Sequence, residues 1–113
     1  MALIKGTLDV LVLKALSWGP MHGFEITRWL ADRSGGRFEI ENAALLQALH
    51  RLEERRALIG EWGVTENNRR ARYYELTAAG RELLRTETAS LRDALSALGM
   101  ILSARTPAVR SAP

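Results

Sequence analysis

Residues 41–77, ENAALLQALHRLEERRALIGEWGVTENNRRARYYELT, constrain the fold more than any other part of the chain. Leu45, Ala48, Leu49 and Leu52 fall at i, i+3, i+4 and i+7, one face of a 3.6-residue period, and predict a helix over 43–56. The opposite face carries Ala43, Gln47, His50 and Glu54, with Ala44 and Arg51 on its edge. Leu58–Val64, rich in β-formers and containing Trp62, predicts a strand. The polar run Thr65-Glu66-Asn67-Asn68-Arg69-Arg70 follows, and 71–76, with two tyrosines, predicts the returning strand. Asn67-Asn68 suits the hairpin tip because asparagine tolerates the left-handed backbone region.

The segments on either side extend this pattern. Thr7 is an N-cap candidate for a first helix over 7–17, with Leu8, Leu11, Val12, Ala15 and Leu16 as its buried stripe. Trp18-Gly19-Pro20 breaks it. A second helix over 22–33 carries Phe24, Ile26, Trp29 and Leu30 as its bulky apolar positions, and Ser34-Gly35-Gly36 ends it. Residues 37–40 are expected to form a short strand against the hairpin. Three helices and a hairpin in this order make a winged helix-turn-helix, in which the third helix lies in a DNA major groove and the hairpin tip reaches backbone or minor groove.

Thr77 caps a last helix over 78–103. Leu84, Leu91 and Leu98 repeat every seven residues, and Thr88, Leu95 and Leu102 follow each four places later, which is an a/d seam. Burying the seam against the same helix of a second chain takes several leucines out of water, roughly 1.5–3 kcal/mol for each side chain fully buried. A homodimer is therefore expected, with Leu84, Leu91, Leu95, Leu98 and Leu102 as its contacts. The expected class is mainly α with a small β-hairpin. A winged-helix domain spans 1–77, a C-terminal dimerisation helix 78–103, and a flexible tail 104–113, which holds two prolines.

Composition narrows the function. A hydrophobic content of 47% supports a core, and the absence of cysteine excludes disulfides and thiolate metal sites and suits a reducing cytoplasm. The first residues, MALIKGTLDVLVLKAL, do not read as a signal peptide, since Asp9 and Lys14 interrupt the apolar run. No apolar run approaches the length of a membrane span. The net charge is only +3, and residues 41–77 are neutral with six Lys/Arg against six Asp/Glu. The basic concentration is local, Arg69, Arg70 and Arg72 against Glu66, which fits a few placed phosphate contacts rather than a coating of charge. No nucleophilic cysteine, Gly-rich phosphate loop or paired carboxylate points to an enzyme, because Glu53 and Glu54 are helix neighbours that diverge. His22 and His50 lack a second ligand at i+3 or i+4, so neither a metal nor any other cofactor is expected.

The chain resembles the short PadR-type transcriptional regulators. The matching residues are Lys5-Gly6-Thr7-Leu8-Asp9, Gly19-Pro20-Met21-His22-Gly23-Phe24 and Ala48-Leu49-His50-Arg51-Leu52-Glu53. They continue with Glu61-Trp62, Glu66 through Tyr74, Leu76-Thr77 and Gly80. The resemblance implies a dimeric winged-helix repressor that binds operator DNA through its N-terminal domain and dimerises through its last helix. Some members take aromatic or drug-like effectors near that interface; this chain lacks the stacking tryptophan there, so no pocket is carried over and no effector is specified.

Three departures from the family pattern matter. Ala43-Ala44-Leu45-Leu46-Gln47 stands where the family usually has Gly-Ser-Leu-Tyr-Pro, so the tyrosine and serine contacts are missing. Gln47 points outward instead and can bond an adenine edge in bidentate fashion. Arg56 stands where glycine is usual after the third helix, so that turn is expected to be made differently. Phe24 replaces the usual tyrosine.

The expected double-stranded DNA contacts are Lys5, Ala44, Gln47, Arg51, Asn68, Arg69, Arg70 and Arg72. Lys5 lies just before the first helix, whose N-terminus can face a phosphate. Each has a bland alternative: the arginines as a solvated hairpin tip, Gln47 and Arg51 as plain surface, Tyr73, Tyr74 and Trp62 as packing. The competing function is a winged-helix dimer that serves as a protein adaptor without touching DNA, which the missing Tyr and Pro of the third helix allow.

Overall fold

The computed structural model describes residues 6–105. Lys5, and the tail from 106 onward, lie outside the described residues. Four helices and three strands follow in the order α1 (Thr7–Leu16), β1 (Met21–His22), α2 (Gly23–Arg33), α3 (Asn42–Glu54), β2 (Leu58–Val64), β3 (Arg70–Leu76) and α4 (Ala78–Leu102). The strands form one antiparallel sheet in the order β1-β3-β2. β2 and β3 pair without interruption from Leu58↔Leu76 out to Val64↔Arg70.

α1 is the centre of the head. It touches α2, α3, β3 and α4, so its buried set is Val10, Val12, Leu13, Ala15 and Leu16. That corrects the narrow stripe expected from periodicity: Leu8 and Leu11 are only half-buried, and Leu13 is fully buried, because neighbours cover the helix on several sides. Thr7 is not the cap either. Gly6 takes that place at φ 87° with no side-chain hydrogen bond. Around α1 pack Ile26 and Leu30 of α2, Leu45, Ala48, Leu49 and Leu52 of α3, then Ala57, Leu58, Tyr74 and Leu76. The buried face of α3 is the one its sequence spacing gives.

Three local corrections concern the turns. α2 begins at Gly23, because His22 is its cap: Nδ1 accepts from the Glu25 amide at 3.3 Å and Glu25 Oε1 accepts from the His22 amide at 3.1 Å. Phe24 does not join the core and is 69% exposed. Residues 37–40 form no strand. The open edge of β3 is taken by Met21–His22, through Met21↔Tyr74 and His22↔Tyr73. The Phe38 amide instead donates to Ser34 Oγ at 2.9 Å, holding that loop against the end of α2.

The end of α3 also departs from expectation. Arg56 occupies the left-handed region at φ 61°, where a glycine sits more cheaply. The Arg56 amide donates to the Glu53 carbonyl and the Ala57 amide to the Leu52 carbonyl, both at 2.9 Å. This is a Schellman turn made by an arginine, so the turn keeps its ordinary form at the cost of backbone strain of about 1–2 kcal/mol.

The same turn anchors α4. The Thr77 amide donates to the Ala57 carbonyl at 3.0 Å, and Thr77 Oγ1 donates to the Arg56 carbonyl at 2.7 Å. That hydroxyl also accepts from the Gly80 amide at 3.0 Å, capping the helix. Gly80 is buried, and a Cβ there would run into the Ala57 carbonyl. Leu83 and Leu84 then pack against the head, so Leu84, expected from the heptad as a dimer contact, is already partly covered by its own chain. The rest of α4 projects, and the molecule measures 69 × 29 × 21 Å.

Glycine to alanine ordinarily stabilises a helix interior. Gly80→Ala should do the opposite and cost about 2–3 kcal/mol, since backbone cannot move aside as a flexible side chain can. Urea denaturation checks this, and a midpoint equal to or above that of the unaltered chain contradicts the close approach.

Candidate nucleic-acid interface

With Leu45, Ala48, Leu49 and Leu52 buried, α3 turns Ala43, Leu46, Gln47 and His50 to solvent, and Ala44 is half-buried. His50 Nε2 lies 3.4 Å from Glu54 Oε1 along the same face. Arg51 is engaged elsewhere. Its Nη2 donates to Asp9 Oδ1 at 2.6 Å and its Nε to Asp9 Oδ2 at 3.3 Å, a two-pronged clamp from α3 onto α1. That hydrogen bond, more than the charge of Asp9, holds the guanidinium protonated even more firmly than usual. Expected as a groove-edge contact, Arg51 is held by the scaffold.

In the hairpin, residues facing each other across the ladder share a side. Leu58, Gly60, Trp62 and Val64 of β2 therefore share one side with Leu76, Tyr74, Arg72 and Arg70 of β3. The inner end of this side is core. Beyond it, Arg72 Nη2 donates to Glu53 Oε2 at 2.8 Å, tying the hairpin to the last turn of α3. The bond to Glu53 raises the Arg72 pKa further. Burial, with help from the Glu53 carboxylate, pushes the Tyr74 phenol up, and Arg72 offsets part of that. Gly60 makes the ion pair sterically possible, because a Cβ there would collide with the Arg72 guanidinium. Like Arg51, then, Arg72 is a fastening of the scaffold and not a group of the hairpin tip.

Further out, the Arg70 guanidinium lies over the Trp62 ring, 4.6 Å from its centre, in the range of a cation–π contact. Trp62 is 60% exposed. The tip is closed by backbone bonds: the Thr65 amide donates to the Arg69 carbonyl at 2.8 Å and the Asn68 amide to the Thr65 carbonyl at 2.9 Å. Thr65 Oγ1 accepts from the Arg69 amide at 3.3 Å. Asn68 takes φ 60°, the left-handed step that such a loop requires and that asparagine tolerates. Asn68, Arg69 and Arg70 are all exposed, and neither arginine has an ion-pair partner among the described residues.

The structure thus gathers Ala44 and Gln47 on or beside the outer side of α3, and Asn68, Arg69 and Arg70 at the hairpin tip. Sequence reasoning missed the roles of Asp9, Glu53, Gly60 and Trp62. Only Trp62 carried a signal, as an aromatic opposite a basic strand. The terminal leucines are spread along α4: Leu91 is half-buried, while Leu95, Leu98 and Leu102 are exposed, as are Met100 and Ile101. Among the described residues no group of three or more His, Cys, Asp or Glu comes together to hold a metal. No described helix is long and apolar enough to cross a membrane.

Comparison with known proteins agrees with this geometry. A family model for the transcriptional regulator PadR-like family matches residues 12–86. An uncharacterized protein of Lysinibacillus sphaericus is 27% identical over 82 residues, 73% of this chain and 75% of that protein. The crystal structure of a PadR family transcriptional regulator from Eggerthella lenta is 30% identical with a TM-score of 0.75, covering 89% of this chain and 86% of that one. A transcriptional regulator from Clostridium thermocellum shares the fold, with a TM-score of 0.77 at 23% identity over 85% of this chain and 93% of that one.

The ion pair beneath the hairpin gives a direct check. Gly60→Ala should push the Arg72 guanidinium off Glu53 and lower the melting temperature. Glu53→Gln should do the same, and the double variant should lose much less than the sum of the two, since both break one interaction. Additive losses in a thermal melt contradict the role given to Gly60.

Proposed function

The chain belongs to the PadR-like family of transcriptional regulators, and from that premise we propose that it represses transcription as a homodimer on a palindromic operator. Two heads joined by α4 meet adjacent turns of one duplex in this reading. In each head the outer side of α3 enters a major groove through Gln47, with Ala44 at its edge. Asn68, Arg69 and Arg70 clasp the flanking phosphates. Arg51 and Arg72 hold α3 and the hairpin in position rather than touching DNA. Lys5, outside the described residues, is proposed as a further phosphate contact because it precedes α1 in the sequence. As a regulator of cytoplasmic DNA the protein acts in the cytoplasm and carries out no catalysis. Residues 1–77 serve as the DNA-binding unit and 78–103 as the dimerisation helix.

One observation supports this most: the hairpin is fastened to α3 at Arg72–Glu53, yet Arg69 and Arg70 beyond that point have no acidic partner among the described residues. Exposed cations without an acidic partner at a hairpin tip suit a polyanion. Two neighbouring phosphates gripped per head would release two counterions, which sets the expected salt response.

Replacing Arg69 and Arg70 together with alanine should weaken binding to all duplexes alike. It should flatten the plot of log affinity against log salt by roughly one unit for each phosphate no longer gripped. Fluorescence anisotropy with a labelled duplex reads both. An unchanged slope removes the hairpin role, and no duplex binding even at low salt favours the protein-adaptor reading instead.

The homodimer rests on the apolar end of α4. Leu95 is 56% and Leu98 46% exposed in the single chain, although each is worth roughly 1.5–3 kcal/mol when fully buried. Sedimentation velocity should show a dimer for the unaltered chain. Leu95→Asp with Leu98→Asp should give a folded monomer that binds duplex at least ten-fold more weakly. A dimer that survives both substitutions locates the interface elsewhere.

A further inference from the structure

We propose that Leu46 is a specificity-determining residue that recognises the 5-methyl group of a thymine beside the pair read by Gln47; the inference rests on the DNA-binding reading above. All the other leucines of α3, Leu45, Leu49 and Leu52, are buried, whereas Leu46 is 49% exposed. It shares its helical stripe with Ala43 and His50, three residues before and four after. A half-exposed leucine on the outer side of α3 contributes little to the fold of its own head.

The chemistry of that side narrows what it can read. Guanine is most often recognised by a bidentate arginine or lysine. Arg51 is the lone Lys/Arg within α3, and its Nε and Nη2 are held by Asp9 on α1. His50 is turned toward Glu54 at the C-terminal end of the helix, away from the first turns that usually meet bases. Gln47 offers the donor and acceptor pair that matches adenine N7 and N6. Leu46 has no polar atom in its side chain. Against a cytosine amino group it would strand a donor without a partner, while against a thymine methyl it removes apolar surface from water on both sides. Consecutive residues of a helix project about 100° apart, so Leu46 and Gln47 meet neighbouring base pairs. The half-site under α3 therefore contains adjacent A·T pairs, one read through hydrogen bonds and one through a methyl group.

The test uses the full chain. Bound duplexes are first selected from a random library to give the half-site. Each thymine of that site is then replaced singly by deoxyuridine, which removes the methyl and leaves base pairing intact. At one thymine per half-site the unaltered chain should lose about four-fold in affinity, the equivalent of one buried methyl at about 0.8 kcal/mol. Leu46→Ala, an exposed substitution by a strong helix former, should bind the thymine and uracil duplexes equally at that position and retain its response elsewhere. Indifference to uracil at every position overturns the proposal, and so does an undiminished response in Leu46→Ala. If the selection retains no duplex at all, the regulator reading fails and this inference fails with it; a selected site that is indifferent to uracil leaves that reading standing.

Discussion

The close approach of Gly80 to the Ala57 carbonyl governs the architecture. Ala57 follows the end of α3 and precedes β2, while Gly80 sits in the first turn of α4. Thr77 bonds to the same short turn through both its amide and its hydroxyl. Three elements with separate tasks are thereby fixed at one junction: the helix with the exposed polar side, the hairpin with the arginine tip, and the helix that leaves the head. A projecting helix can set the spacing of two heads only if its angle to each head is fixed. The strain carried by Arg56 at φ 61° belongs to the same junction and is sustained by the bonds around it.

Between the elements of the head, ion pairs serve mainly for alignment. Asp9–Arg51 fastens α3 to α1, and Glu53–Arg72 fastens the hairpin to α3. Neither pair is deeply buried, and surface ion pairs add little to stability by themselves. Their placement matters more, because each fixes the direction of an element whose tip lies elsewhere. The neutral balance of residues 41–77 fits this use of charge. Arg51 and Arg72 are spent on carboxylates, and Arg69 and Arg70 at the tip are left for a polyanion to address.

Much of this was legible in the sequence, for physical reasons that can be named. The buried side of α3 followed from its period, and the span of β2 from its β-formers between turn signals. The tip was legible because few residues other than glycine take the Asn68 conformation cheaply. The third strand was not. Two residues, Met21 and His22, carry no period, whereas Phe38 and Ile40 look strand-like until Ser34 holds their loop. The heptad of α4 marks an apolar seam, but spacing does not say which chain buries a leucine, and Leu84 packs on its own head. The roles of Arg51 and Arg72 were missed because their partners are distant in sequence, Asp9 being 42 residues from Arg51. A charged side chain looks the same in sequence whether it is fastened or free.

In the proposed dimer, paired α4 helices hold two heads at a fixed separation. The chain has no cysteine, so Gln47→Cys introduces one labelling site per chain. Pulsed electron resonance on the spin-labelled protein then measures the distance between the two outer sides of α3 in solution without DNA. The expected result is a single narrow distribution near one turn of B-DNA, roughly 34 Å. A signal with no distance between chains, or a broad distribution, would contradict a dimer with fixed heads.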